Sequence, residues 1–300
     1  MSASPPALYA TAQGFAALLL WSSLATLTAI AAPMPPFELA AITFTVGALV
    51  GLVYARATGQ SLMELRKMPL GALALGVYGL LGYHVCYFYA LQKAPPLDAN
   101  LINYLWPLLI VVFSGLLPLR VGGRPLRWWH IAGSLFGLAG TMLVLMKSGA
   151  SLAFTGATGG YAAALASAVI WASYSVASRL FSTVPSTAVI ASCAATAAGA
   201  LLLHVLSEAT QLPRSPAAWA AVLAMGLGPV GLAFYLWDRG MKHGDLRLLG
   251  VASYATPLLS TALLALFGLG TAGPALWLAV LLVTGGALLA ARDSLMPLRR

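Results

Sequence analysis

Along this chain of 300 residues, apolar stretches about 20 residues long alternate with short breaks of proline, glycine and charge. The apolar runs are continuous rather than alternating in steps of two, which predicts helices and not the two-faced strands of a barrel. The breaks place spans near 10–32, 36–58, 69–92, 97–118, 126–147, 157–181, 184–207, 217–240, 245–268 and 273–292. At about 1.5 Å of rise per residue, runs of this length suit a hydrocarbon layer about 30 Å thick. The expected fold is an all-α integral membrane protein of ten transmembrane helices. Short connections predict antiparallel neighbours, with the longest exposed loops near 59–68, 118–125, 148–156 and 208–216.

Composition agrees with that reading. Hydrophobic residues make up 60% and charged residues 8%, against roughly 25% charged in a soluble domain. The net charge of +9 comes with no basic run or recognition motif, so no nucleic-acid partner is expected. In a membrane chain the informative quantity is the side on which the cations fall. With the N-terminus inside, 13 of the 16 Lys and Arg residues fall inside: Arg56, Arg66, Lys67, Arg120, Arg124, Arg127, Arg179, Arg239, Lys242, Arg247, Arg292, Arg299 and Arg300. Lys93, Lys147 and Arg214 fall outside. This bias predicts that both termini are cytoplasmic (N-in/C-in). The opening segment, MSASPPALYATAQG, has no basic region, so the first span is expected to be permanent rather than a cleaved leader.

The two halves repeat. Trp21-Ser22-Ser23 is matched by Trp171-Ala172-Ser173, and Tyr104-Leu105-Trp106-Pro107 by Tyr254-Ala255-Thr256-Pro257, each at an offset of 150. Two five-helix repeats, 10–147 and 157–292, are expected. Five is odd, so the second repeat enters the membrane from the opposite side. That plan belongs to carriers that expose one midplane site to each side in turn. Pro107 and Pro257 each remove a backbone donor in mid-span and are expected to bend helices that open and close such a site.

Candidate chemistry is sparse. The acids Glu38, Glu64, Asp98, Glu208, Asp238, Asp245 and Asp293 all fall near span ends or in loops. His130, His204 and His243 also fall near interfaces, leaving His84 as the one deep ionisable group. No carboxylate proton relay is visible, which favours movement down the cargo gradient. The shortage of deep cations argues against phosphorylated cargo. HExxH and paired-Asp patterns are absent, and Cys86 and Cys193 form no metal motif. The chain is expected to be neither an enzyme nor a holder of metal or cofactor.

The aromatic residues say more. Trp21, Trp106 and Trp171 sit half-way along their spans, away from the interfaces where tryptophan usually gathers. Tyr83 and Tyr87 share a helix face, with His84 on its flank. Asn103 and Tyr104 cluster beside Pro107, and a polar stripe of Ser167, Trp171, Tyr174, Ser175 and Ser178 runs along span 6. The substrate-binding set expected from these residues is Tyr83, His84, Tyr87, Asn103, Tyr104, Trp106 and Trp171, joined by Ser22, Ser175, Ser253 and Tyr254. Deep Trp and Tyr rings bring stacking faces and polar handles together, and their faces attract ammonium groups.

Five-plus-five spans, the mid-span prolines and the short loops resemble the drug/metabolite transporter superfamily in its ten-helix, EamA-type form. The run LWDRGMKHGD (236–245), SYATPLLST (253–261) and GYHVCYFYALQ (82–92) are similar to aromatic amino acid exporters of the YddG type. The resemblance implies a bacterial inner-membrane exporter with a central cavity. Aromatic or hydrophobic amino acids are the leading cargo. Drug-like or quaternary-cation compounds are the alternative. Gly133-x3-Gly137 is a small-residue packing motif that leaves the oligomeric state open.

Overall fold

A computed structural model describes residues 5–57, 59, 61, 63, 68–123, 125–147, 157–268 and 274–295. Glu64, Arg66, Lys67, Arg124, Arg299, Arg300 and the loop 148–156 lie outside the described residues. Those residues that are described contain helices and no strands.

Eight helices are long and apolar enough to cross a membrane: α1 (Pro6–Ala31), α2 (Pro36–Ala57), α3 (Leu70–Lys93), α5 (Trp128–Met146), α6 (Thr158–Phe181), α7 (Ser186–Ser207), α8 (Pro216–His243) and α9 (Leu246–Leu266). Two shorter apolar helices, α4 (Asp98–Ser114) and α10 (Leu276–Ala290), complete the bundle among the described residues. Large apolar side chains such as Leu8, Leu19, Val53, Leu70, Leu202, Val205, Trp277 and Leu281 point outward. Water would not tolerate so wide an apolar surface, whereas lipid does.

Lipid supplies no hydrophobic drive between helices, so close packing and internal hydrogen bonds must hold them. The pairs α5·α10, α2·α7, α1·α8 and α3·α6 make the most extensive contacts. In the α5·α10 seam, a methyl group at Gly133 would lie 2.5 Å from the Gly286 carbonyl oxygen, and one at Gly286 would lie 2.4 Å from that of Gly133. Gly133 is thus consumed by an intrachain contact. Gly137 leaves room for the Tyr254 ring, which would stand 2.3 Å from a methyl group there.

Several helices are interrupted. Tyr78–Gly82 in α3 and Gly228–Leu232 in α8 are π-helical, again 150 residues apart. Such insertions free backbone carbonyls and recur at functional sites. Turns at Tyr104–Leu105 in α4 and Ser253–Tyr254 in α9 end shortly before Pro107 and Pro257. A proline cannot donate to the carbonyl four residues earlier, so each helix restarts after its turn with proline in the first turn. The two interruptions meet: the Leu108 backbone N–H donates to the Tyr254 hydroxyl at 3.1 Å.

Candidate functional site

The interrupted helices bring the deep aromatic residues together. The Trp171 ring stands 5.5 Å from Trp21, 5.4 Å from Tyr83, 6.3 Å from Trp106 and 6.3 Å from Trp237. Phe234 closes the group at 5.8 Å from Trp21 and 5.9 Å from Trp171. Most pairs meet edge to face or tilted, the arrangement the ring quadrupoles favour. Tyr83 continues to Tyr87, stacked at 5.5 Å, and to His84 at 5.1 Å. His84 in turn meets Phe44 at 5.0 Å and Phe88 at 5.5 Å.

Burial changes along this chain of rings. Trp21, Trp106, Trp171, Phe234 and Trp237 are buried. Tyr83, His84, Tyr87, Phe88 and Tyr104 are only half-buried, although protein rings flank the first four.

The π segments supply partners for two of the ring N–H groups. The Trp21 indole donates to the Pro229 carbonyl at 2.9 Å, from the π segment of α8. His84 Nδ1 lies 2.7 Å from the Leu80 carbonyl, within the π segment of α3. A carbonyl oxygen only accepts, so Nδ1 carries the proton there. The Trp237 indole donates to Ser175 Oγ at 3.1 Å.

A polar ribbon runs beside the half-buried rings. Ser167 donates to Asn103 Oδ1 at 2.8 Å, and Asn103 Nδ2 donates to the Tyr83 hydroxyl at 3.2 Å. The Tyr87 hydroxyl donates to Asn100 Oδ1. Ser22 and Ser253 turn their hydroxyls onto the Leu19 and Leu249 carbonyls of their own helices. Tyr254 serves the α4–α9 crossing described above.

The candidate set therefore divides. Tyr83, His84, Tyr87, Asn103, Trp106, Trp171 and Ser175 join one network of rings and hydrogen bonds, and Tyr104 sits half-buried beside Asn103. Phe44, Phe234 and Trp237 also belong to the network, outside the set expected from the sequence. Trp237 lies inside the LWDRGMKHGD run, which is its one signal in the sequence. Nothing polar marks Phe44 or Phe234 against their apolar neighbours.

Residues 8–146 and 158–292 each match the model of the EamA-like transporter family. The chain belongs to the EamA-like transporter family. Among its relatives is the "Aromatic amino acid exporter YddG" of Ancylobacter novellus, 50% identical over 282 residues, covering 94% of this chain and 96% of that protein. The exporter of the same name from Escherichia coli is 26% identical, covering 93% and 96%. The "Pseudopaline exporter CntI" of Pseudomonas aeruginosa is 27% identical, covering 74% of each chain. A solved crystal structure that is 49% identical superposes with a TM-score of 0.89, covering 96% of this chain and 99% of its own.

One end of this EamA-like transporter is tied by cations. Arg179, from the end of α6, donates to the Met241 carbonyl at 2.9 Å and to that of Gly244. Lys242 Nζ donates to the Val184 carbonyl at 3.0 Å and pairs with Asp238 at 2.9 Å. Sequence position puts Asp238 and Lys242 at an interface, yet both are buried, because the segment after α6 folds over the end of α8 and brings Val184 to the amine. His130 and His204 are buried as well. His130 lies 3.4 Å from Asp293 at this end, and His204 lies 3.0 Å from both Glu208 and Thr210 at the other. The pair Asp238–Lys242 borders a cavity of about 30 Å³ that Tyr174, Ser178 and Ser192 also line, room for one or two waters. Lys242→Ala would leave the Asp238 carboxylate buried and unpaired, at a cost of about 3–5 kcal/mol. Its thermal unfolding temperature in detergent is expected to fall well below wild type, and Asp238→Asn with Lys242→Gln to recover most of the loss.

The opposite end is closed by reciprocal carboxylates. Glu208, after α7, accepts from the backbone N–H groups of Phe37 and Glu38 at the start of α2. Glu38 accepts from Gln211 N at 2.9 Å. Anionic groups at a helix N-terminus satisfy its orphan donors.

Proposed function

We propose that this transporter exports aromatic and other hydrophobic amino acids, and flat organic compounds of similar size, by alternating access through the aromatic cluster. The observation that carries this reading is the wall formed by Tyr83, His84 and Tyr87. These rings are half-buried and edged by the Asn103–Ser167 ribbon, and they adjoin buried tryptophans. Such a wall offers π faces to a side chain or ammonium group and hydrogen-bonding groups to a carboxylate, without a net charge of its own. Tyr83, His84, Tyr87, Asn103, Tyr104, Trp106, Trp171 and Ser175 form the binding set, with Phe234 and Trp237 behind it. Ser22, Ser253 and Tyr254 shape the helices that carry it, and Pro107 and Pro257 mark the bends. Relatives named for aromatic amino acid export support this cargo.

The architecture we infer has ten crossings, both termini cytoplasmic, in the bacterial inner membrane, with inverted repeats over 10–147 and 157–292. Three observations support it. The π segments and proline turns recur near an offset of 150. The α1·α8 packing answers α3·α6, and α4·α6 answers α1·α9. The cation-tied end carries Arg179, Lys242 and Arg247, which the charge bias assigns to the cytoplasm. Asp238 is matched by Lys242 and acts as a tie in this reading rather than a proton relay, so cargo moves down its own gradient.

Purified protein in liposomes loaded with phenylalanine, tyrosine, tryptophan, threonine or a quaternary cation tests the proposal. Counterflow of the labelled aromatic amino acids is expected, equally with and without a pH gradient. Accumulation of the cation alone would overturn the cargo. A strict need for the gradient would overturn the facilitated mechanism.

A further inference from the structure

At the cation-tied end, the start of α5 lies against the end of α10, where a methyl group at Gly133 would stand 3.0 Å from Ala290 N. Two guanidinium groups converge there on one indole. Arg127 sits 5.0 Å from the Trp129 ring centroid and Arg292 sits 5.1 Å from it. Their central carbons are therefore no more than about 10 Å apart, which concentrates two positive charges around one ring at the surface. Among the described residues, neither guanidinium has a carboxylate within ion-pairing distance. The nearby acid, Asp293, pairs instead with His130. The Trp129 indole nitrogen is buried and has no hydrogen-bond partner among the described residues. Trp128 beside it is exposed on the bundle surface, 5.9 Å from the Trp129 ring. Exposed tryptophan at a helix end belongs at the level of lipid headgroups.

We propose that Arg127, Trp129 and Arg292 form a site for the phosphate headgroup of an anionic phospholipid, whose acyl chains run down the outer surface of the α5·α10 pair beside Trp128. Two convergent cations at the water–lipid boundary complement a negative headgroup, and the apolar flank of α5, with Leu135 and Phe136 exposed, accepts the chains. The lipid would brace the start of α5 against α10 without entering the aromatic cluster. This site depends only on the helices lying in a membrane and is independent of the cargo proposed above.

The test is lipid retention. Protein in mild detergent is titrated with phosphatidylglycerol or phosphatidylcholine, and bound lipid is counted by native mass spectrometry. Wild type is expected to retain phosphatidylglycerol in preference to phosphatidylcholine, and R127Q/R292Q to lose roughly 30-fold of that affinity. The control R56Q/R120Q removes two exposed cations elsewhere and is expected to keep it. W129F spares both cations but shrinks the aromatic platform on which they rest; it reports on the site if the double variant does not fold, and is expected to bind more weakly than wild type. Equal retention of the two lipids by wild type would overturn the proposal. Unchanged affinity in R127Q/R292Q, or in W129F where that variant stands in, would do so too. Displacement of the lipid by millimolar inorganic phosphate would reassign the pocket to a free anion and overturn the lipid.

Discussion

Gly133→Leu is expected to remove most of the correctly folded protein. The methyl group nearest the backbone alone would stand 2.5 Å from Gly286 O and 3.0 Å from Ala290 N. Both obstacles are backbone atoms, so no side chain can rotate away. Leucine adds three more carbons to the same gap, and the helices must part along much of their seam. Overpacking a tight site costs about 1–3 kcal/mol and more where nothing yields, so the upper end of that range or beyond is expected. Size-exclusion chromatography in detergent should show the monodisperse fraction collapsing, with a much lower unfolding temperature. Gly285→Leu is the matched control, because nothing lies within 4 Å of a methyl group there, and its effect should stay within about 0.5 kcal/mol. A Gly133→Leu protein that folded normally and changed only its oligomeric state would assign the glycine to an intermolecular surface instead.

Trp171→Leu is expected to have the largest effect on transport of any single ring substitution. Trp171 touches Trp21, Tyr83, Trp106, Tyr174, Phe234 and Trp237. It joins the buried tryptophans to the half-buried wall. Leucine keeps the site apolar but removes every ring contact. Aromatic pairs are worth about 0.5–1.5 kcal/mol each beyond burial. Losing two such contacts to cargo, directly or through displaced neighbours, slows transport roughly 10- to 100-fold. The readout is initial-rate phenylalanine flux in proteoliposomes, normalised to inserted protein. Insertion should be unchanged, since hydropathy rises slightly. Wild-type flux in Trp171→Leu and again in Tyr87→Leu would move the pocket elsewhere.

The helical bundle was legible because a bilayer leaves a chain few choices. Backbone groups must bond within each segment, so long apolar runs such as Ser186–Ser207 read directly as helices. The turn before Pro257 was legible for a similar reason, since a missing N–H has a fixed consequence four residues back. The π segments carried no such mark. Gly76, Gly79 and Gly82 suggest close approach, but not the extra residue in the turn. Close approach itself did occur at Gly79, where a methyl group would stand 2.1 Å from the Tyr174 ring.

Burial at helix ends was the least legible feature. Asp238 and Lys242 stand four apart, a spacing that predicts pairing. Their place near the end of a span suggested water around them. What buries them is the segment carrying Val184, which lies 58 residues before Lys242, and no local pattern reports that. Among the candidate site residues, the rings stand out in the sequence by their unusual depth. The serines stand out by polarity alone, and two of the three turn their hydroxyls onto their own helices.

The hydrogen bond from Leu108 to Tyr254 has no counterpart between Leu258 and Tyr104, the residues 150 positions away. In the alternating-access reading proposed above, turning inside out would release the first bond and offer the second. Each is worth about 1 kcal/mol net, so the books nearly balance across the cycle. The tyrosine pair would then act as a ratchet tooth with two equivalent notches: it holds whichever face is open, yet adds almost nothing to the difference between the two resting states. Which face prevails at equilibrium would fall to groups without such a twin, foremost the Arg179 and Lys242 ties.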